Sequence, residues 1–514
     1  MMAHYFRKHD NVPFFVLPSA WVFAILHCVM AKQSNLSFFG REEIIDRLET
    51  LWGKRVPSLV TCRGRRRIGK TTLIEKFANR SKARFIKLEG LKPKDKMSNA
   101  DQLSAFASQL ALQTHAERTI PPDWLSAFAR LDGEIRDEGR TVVLLDEISW
   151  MAYYDVTFAG SLKVAWDNLF KKHRRLVLVV CGSVSSWIKD WIIDSGDFYG
   201  RRSLDIVVPE LPLSECVKFW GATVGRIDMR EIIDVLSVTG GVPRYLEEVN
   251  PSLSAADNLR NMFFIPHAPL TVDFDEMFTE VITEQPTFTA RVLRSLVDGR
   301  KSVSEIARLL DMQRNGHVSR ALDRLEECGL ITADAESNPE TGETAREKIY
   351  RLSDNHARFY LRYVEPLRES IDRDAYEFIS LDALPGWETS MGLAFENLVV
   401  NNFRSLAKFL HLGKAPILYA APFRKRPSKG TGGEGLQIDL LVRQKRTLWI
   451  VEIKRKRNIG HDVIDEVERK AKRLHVGKEV SLRRALVYDG ELAPIVEAEG
   501  YFDALVRFSD LLGL

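Results

Sequence analysis

Gly64-Arg65-Arg66-Arg67-Ile68-Gly69-Lys70-Thr71 satisfies the spacing G-x-x-x-x-G-K-[ST], a pattern whose chemistry is phosphate capture. Glycines at its two ends let the backbone wrap close to an anion, and amides at a following helix N-terminus point at it. The stretch from Gly64 through Thr72, including Arg65, Arg66, Arg67 and Ile68, is therefore the expected nucleotide cradle. Lys70 is expected to reach the β and γ oxygens and Thr71 to ligate Mg2+. Such a loop needs an acidic strand end nearby, and Thr141 to Glu147 (TVVLLDE) supplies one. Asp146 is expected to hold Mg2+ through water, and Glu147 to polarise the attacking water. Two carboxylates ending a buried strand are expensive, which argues against an ordinary helix cap. Ser183 or Ser185, after the apolar run Leu176 to Cys181, is expected near the γ-phosphate. Arg201, in Gly200-Arg201-Arg202, is a candidate arginine finger, with a solvated surface pair as the competing reading.

A second constellation lies near the C-terminus. Glu396 sits among apolar neighbours in GLAFENLVVNNF (392–403), Asp439 in LQIDLLV (436–442), and Glu452 and Lys454 in LWIVEIK (448–454). Side chains two apart share one face of a strand, so Glu452 and Lys454 lie together while Ile453 turns away. Paired carboxylates can hold Mg2+, with Glu396, Asp439 and Glu452 as ligands. A neighbouring lysine can orient or deprotonate water and neutralise a scissile phosphate. From Arg424 to Lys478 there are 16 Lys and Arg against 7 Asp and Glu, a balance that suits a phosphate backbone. The competing reading is a solvated basic face with a plain Glu452–Lys454 salt bridge.

The elements needed to position these residues are visible in the pattern. Ser58 to Cys62 reads as a short buried strand, and TTLIEKFANRSK as a helix with Leu73, Ile74 and Phe77 on one face. Arg84 to Leu88 reads as an extra strand between the two nucleotide motifs, Leu176 to Cys181 as a buried parallel strand, and Leu204 to Val208 as one more. Asp439 and Glu452 are expected on a hairpin turning at Arg443 to Thr447. In the middle, helices at Thr287–Leu296, Ser304–Leu310 and Asn315–Cys328 precede strands at Leu330–Ile331 and Lys348–Leu352. That order predicts a winged helix-turn-helix, with Arg314, Asn315, His317, Ser319 and Arg320 at the start of its recognition helix. The hairpin is rich in Glu rather than Lys, so packing against neighbours without touching DNA is the alternative.

Taken together, Phe39-Gly40-Arg41-Glu42-Glu43, the GRRRIGKT loop, LLDE before Trp150, CGS, YGRR and Gly240-Gly241-Val242-Pro243-Arg244-Tyr245-Leu246 resemble the archaeal-type P-loop ATPases, near the AAA+ and STAND groups. The resemblance spans about Asn35 to Asn250. It implies ATP hydrolysis, a helical lid carrying the Gly-Gly-Val-Pro segment, Arg41 near the adenine side, and Arg201 at the Gly-Arg position. Asp439, Glu452, Lys454 and Glu396 resemble the PD-(D/E)xK nuclease superfamily, although Gln437-Ile438-Asp439 stands where Pro-Asp is usual. In the archaeal-type ATPases such a domain often follows a winged helix.

The expected fold class is α/β multidomain: a P-loop NTPase with a parallel sheet carrying its own catalytic glutamate, a helical lid, a winged helix-turn-helix and a restriction-endonuclease-like domain. Expected boundaries are 34–212, 213–280, 281–368 and 385–514. Expected partners are ATP with Mg2+, DNA, and further copies of the chain. The alternative function is a STAND-like ATP switch or DNA-binding regulator with a nuclease fold that does not cut. The length of 514 residues agrees with three or four domains at roughly 150 residues each. A net charge of +4 is too small to mark a nucleic-acid binder by itself, and five scattered cysteines without a C-x-x-C pair point to a reducing cytoplasm. Residues 1–33 are expected outside every domain. Val12 to Met30 is apolar but interrupted by Pro13, Pro18 and His27, and a start at Met30, with no membrane anchor, is the preferred reading.

Overall fold

The computed structural model describes residues 38–514 apart from 184, 282–285, 313–315, 377–379 and 426–434. The chain divides into Met1–Phe39 and Gly40–Leu514, and the architecture is that of the second unit. The apolar N-terminal stretch, Arg314 and Asn315 lie outside the described residues. Among the described residues no helix is long and apolar enough to cross a membrane.

After a short helix α1 (Glu42–Glu49), strand β1 (Ser58–Arg63) runs into the Gly64–Gly69 loop and helix α2 (Lys70–Arg80). Leu73, Ile74 and Phe77 are fully buried on one face of α2, each stabilising by about 1.5–3 kcal/mol. Strands β2 (Arg84–Glu89), β3 (Thr141–Asp146), β4 (Leu176–Gly182) and β5 (Arg202–Val207) complete a parallel sheet of order β2-β3-β4-β1-β5. The strand that stands between β1 and β3 is thus β4, buried along its whole length; Arg84–Glu89 lies at the sheet edge. Helices α3 (Asn99–Thr114), α4 (Trp124–Glu134) and α5 (Phe158–Asn168) close one side through an aromatic cluster of Phe106, Trp124, Phe128 and Phe158.

Helices α6 (Met229–Thr239), α7 (Ala255–Phe263) and α8 (Pro269–Val281) follow, then α9 (Pro286–Arg294), β6 (Lys301–Ser302), α10 (Val303–Leu309), α11 (Gly316–Glu327), β7 (Ile331–Ser337) and β8 (Thr344–Leu352). The three strands form an antiparallel sheet of order β6-β8-β7. Both long strands extend farther into the polar hairpin than the sequence predicts. The exposed tip of the hairpin passes close to Gly477, where an added side chain would meet the Glu340 carbonyl at 3.1 Å.

A short helix α12 (Asn355–Phe359) leads to α13 (Trp387–Asn401), which starts five residues before the predicted Gly392. A second sheet, order β13-β12-β11-β10-β9, contains β9 (Ile417–Lys425), β10 (Leu436–Gln444), β11 (Thr447–Ile459), β12 (Ser481–Leu492) and β13 (Ala504–Arg507). β10 is antiparallel to both neighbours, whereas β11, β12 and β13 run parallel. One face carries Leu440, Val442, Val451 and Ile453 into a core shared with α13 and with Trp220, Ile232 and Leu236. The other carries Leu441, Leu448 and Ile450 against Val463 and Val467 of α14 (Asp462–Arg473).

Candidate functional sites

The first site is built where β1 and β3 end. Gly64 has φ +154°, and a Cβ there would lie 2.7 Å from the Val208 carbonyl; Gly69 caps α2 at φ +84°, a left-handed conformation that glycine adopts without cost. Lys70 is buried, and its Nζ donates to the carbonyls of Gly64 (3.0 Å) and Arg65 (3.1 Å). Thr71 Oγ1 donates to Asp146 Oδ2 at 2.6 Å, so the two expected Mg2+ partners are adjacent. Thr72 is exposed on the first turn, and Ile68 is fully buried.

Glu147 sits at φ +45°, ψ +50°, an uncommon backbone state for a residue with a side chain. Its Oε2 accepts from the Ser183 hydroxyl at 2.9 Å and from the Ser183 amide at 3.3 Å. Ser183 therefore holds the candidate base. The Ser185 side chain is outside the described ones.

The three arginines of the loop diverge. Arg65 is 8% exposed, and its guanidinium pairs with Asp354 and with Glu210 (3.1 Å) and donates to the Tyr245 hydroxyl (3.4 Å). Its side chain thus leaves the cradle to which the sequence assigns it; only its backbone remains there. Arg67 pairs with Asp273 (2.6 Å) and Glu276 (3.4 Å) of α8. Arg66 lies 5.4 Å above the Trp150 ring. Burial lowers its pKa against the pull of Glu147. Arg41 donates to the Ile68 carbonyl at 3.2 Å, and burial lowers it to about 10. Gly241 has no room for a side chain, since a Cβ would lie 2.3 Å from the Leu211 carbonyl, and its amide donates to Glu210 at 3.0 Å. Pro243 lies 4.0 Å from the Cβ position of Gly69, which sets the Gly-Gly-Val-Pro segment against the phosphate loop.

Arg201 is not brought to the loop. It precedes β5, whose Arg202 is in register with Leu59 near the start of β1, whereas the phosphate loop leaves the other end of that strand. Its guanidinium is bound by Asp167 at 2.8 and 2.9 Å, and hydrogen bonds from Arg201 and Lys171 hold the Asp167 carboxyl far below the usual range. This placement agrees with the competing reading of a surface ion pair rather than with a finger reaching the loop of its own chain.

The second site lies at the end of the C-terminal sheet. The β10–β11 ladder pairs Leu440 with Val451 and reaches no farther. On the other edge, the β9 register shifts between Ile438 and Leu441; such irregularities re-aim side chains. Asp439 lies in this irregular step, 9% exposed, with Oδ2 accepting from the Ile453 amide at 2.9 Å. Burial, then repulsion from Glu396, raises its pKa to about 6. Glu396 is raised likewise by burial and Glu452. It forms no hydrogen bond to a described residue, and it lines one cavity with Asp439.

Glu452 is fully buried, and its carboxylate meets Lys454 Nζ at 2.7 Å and Lys470 Nζ at 2.6 and 2.8 Å. Both lysines also reach Glu466, at 3.0 and 3.1 Å. Burial alone would lower Lys454, but Glu452 and Glu466 outweigh it and the net shift is upward. The three expected metal ligands are therefore not preassembled. Glu396 and Asp439 face one cavity while Glu452 is held by two ammonium groups. Among the described residues no group of three or more His, Cys, Asp or Glu is arranged to hold a metal. Sequence reasoning missed Lys470 and Glu466; their i, i+4 spacing on an amphipathic helix following the Glu-Ile-Lys strand is the signal that could have found them.

Residues 38–249 match the family model for an ATPase domain predominantly from Archaea. An ATPase domain of the P-loop class thus occupies this part of the chain, and its nucleotide is ATP. Among solved structures, the Walker-type ATPase PABY2304 of Pyrococcus abyssi is 16% identical, with a TM-score of 0.47, covering 64% of this chain and 97% of that one. The ORC2 protein of Aeropyrum pernix, in ADPNP-ADP complexes, is 15% identical, with a TM-score of 0.42, covering 65% and 94%. The RuvB Holliday junction branch migration motor of Thermotoga maritima is 16% identical, with a TM-score of 0.31, covering 58% and 90%. At these scores the assignment rests on the family model and the geometry of the site. Comparison with curated protein sequences gives no match.

Proposed function

We propose that ATP binding and hydrolysis in this domain control a Mg2+-dependent DNA nuclease formed by the C-terminal sheet. The observation that carries the reading is a continuous polar connection. Arg65 of the phosphate loop pairs with Asp354, which caps α12 by accepting from the Ala357 amide at 3.0 Å. Beside it, Asn397 Nδ2 donates to the Ser353 carbonyl at 2.8 Å and to Asn355 Oδ1 at 2.6 Å. Asn397 adjoins Glu396 on α13. A shift of the phosphate loop on nucleotide binding therefore acts directly on the helix that carries a candidate metal ligand.

In the ATPase site the proposed roles are these. Lys70 exchanges its two carbonyl partners for phosphate oxygens; Thr71, and Asp146 through water, would hold Mg2+, which would supply neutralisation of the phosphate charge. Glu147, held by Ser183, orients the water whose oxygen attacks the γ-phosphorus as the bond to the β-phosphate oxygen breaks, giving ADP and phosphate. In the C-terminal site Mg2+ needs only one or two carboxylates plus substrate phosphate oxygens. Glu396 and Asp439 would supply hard oxygen donors to Mg2+, Glu452 would add a third once Lys454 and Lys470 release it, and Lys454, so released, would orient water.

The segments 34–212, 213–280, 281–368 and 385–514 then act as ATPase core, lid, winged helix and nuclease-like unit. His317, Ser319 and Arg320 lie on the first turns of α11, with His317 and Arg320 exposed, and are the proposed DNA contacts of the winged helix. Arg201 would serve only the nucleotide of a second copy. A STAND-like switch with a C-terminal fold that does not cut is the second reading, favoured by the two lysines on Glu452. The test is DNA cleavage in Mg2+ or Mn2+ by wild type and Glu452→Ala: activity lost in the variant supports the first reading, and absence of cleavage in both supports the second.

A further inference from the structure

The cavity that Glu396 and Asp439 share has a volume of about 430 Å3, within the range of small-ligand pockets, roughly 300–1,000 Å3. Facing residues come from a different part of the chain: Lys301 and Arg308, with Leu309, come from β6 and α10, while Arg424 of β9 lies on the C-terminal sheet beside β10. Arg308 is exposed at the rim, Lys301 is half-buried, and Leu309 is 55% exposed. The wall is fastened. Arg424 pairs with both oxygens of Glu305 at 2.7 and 2.9 Å, and Arg300 donates to the Phe423 carbonyl at 3.2 Å. On the inner side, buried Arg351 bonds Asn397 and Asn401, and Asn355 donates to the Ala394 carbonyl at 3.0 Å.

We infer that this cavity is a binding site for one phosphodiester unit of an unpaired nucleic-acid strand. The inference rests on the nuclease-like reading of Glu396 and Asp439. Part-buried hydrogen bonds fasten the β6–α10 segment to β9 across the cavity, and about 430 Å3 between them leaves no room for the second strand of a duplex beside the first. A single strand does enter. Its phosphate meets Lys301 and Arg308, its scissile side faces the carboxylates, and a base lies on the apolar surface of Leu309. No aromatic ring lines the cavity among the described residues, so recognition is of the backbone and is strongly salt-dependent.

The test uses the full chain, a fluorescein-labelled 20-nucleotide oligothymidylate and the corresponding dA·dT duplex, with anisotropy read in Ca2+ and cleavage in Mn2+. The single strand is expected to bind at least tenfold tighter than the duplex, and Arg308→Glu and Lys301→Ala each to weaken it, the charge reversal by at least tenfold. Arg308 is exposed, so an unchanged thermal midpoint certifies the fold of its variant. Equal or tighter duplex binding, or an Arg308→Glu protein that binds the strand as wild type does, overturns the inference. Strand-selective binding without cleavage leaves it standing and removes the nuclease reading. Cleavage of duplex as fast as single strand overturns it and leaves the nuclease reading intact.

Discussion

Asp354→Asn isolates the charge in the connection between the two sites. Asparagine keeps a cap acceptor for the Ala357 amide but removes the anion facing Arg65. The Arg65 and Asp354 side chains are 7% and 1% exposed, and removing one partner of a buried pair costs about 3–5 kcal/mol. Glu210 at 3.1 Å and the Tyr245 hydroxyl at 3.4 Å remain beside Arg65, which places the loss near the lower end, about 3 kcal/mol. At about 1.4 kcal/mol per factor of ten, amides of α12 and of the phosphate loop are expected to exchange hydrogen roughly 100-fold faster. Hydrogen exchange read by mass spectrometry measures this peptide by peptide. Wild-type exchange rates in Asp354→Asn would refute the reasoning, since the loop and α12 would then not be held by this pair.

Other outcomes follow from single groups. Glu147→Gln is expected to keep ATP binding, read by fluorescent-nucleotide titration, and to lower kcat by about 10²–10⁴; an unchanged kcat would remove Glu147 as the base. His356 is fully buried against Tyr245, with centroids 4.3 Å apart, and burial lowers its pKa to about 4 from an ordinary 6.5. Its neutral form is the folded one, so stability is full above pH 6.5 and is lost as pH falls toward 4, by about 3 kcal/mol in all. Thermal midpoints across that window should fall less steeply in His356→Leu. Gly241→Ala is expected to lower the thermal midpoint because its Cβ would overlap the Leu211 carbonyl, whereas Gly53→Ala, with nothing within 4 Å, should not.

The nucleotide site is legible in the sequence because its parts are local. One loop, one strand end and the register of adjacent parallel strands bring Lys70, Thr71, Asp146, Glu147 and Ser183 together. The β10–β11 hairpin is legible for the same reason, since its turn follows at once. Arg65 with Asp354 and Arg67 with Asp273 join residues more than two hundred positions apart, which no local period encodes. The irregular step at Asp439 and the arrival of Lys470 on Glu452 depend on how α14 packs across the sheet. Motif spacing therefore singles out these carboxylates but not the partners they meet in the fold. Arg201 shows the converse limit: a Gly-Arg pair is readable, but the end of the sheet on which it falls is set by the β1–β5 register.

The central claim is that nucleotide state governs the C-terminal carboxylate site. Its most direct test is cleavage of a labelled single strand in Mn2+, with and without ATP, by wild type, Lys70→Ala, Asp354→Asn and Glu452→Ala. The account predicts ATP-dependent cleavage in wild type, no response to ATP in Lys70→Ala or Asp354→Asn, and no cleavage in Glu452→Ala. Cleavage by wild type that is indifferent to ATP, or that survives Glu452→Ala, would contradict it.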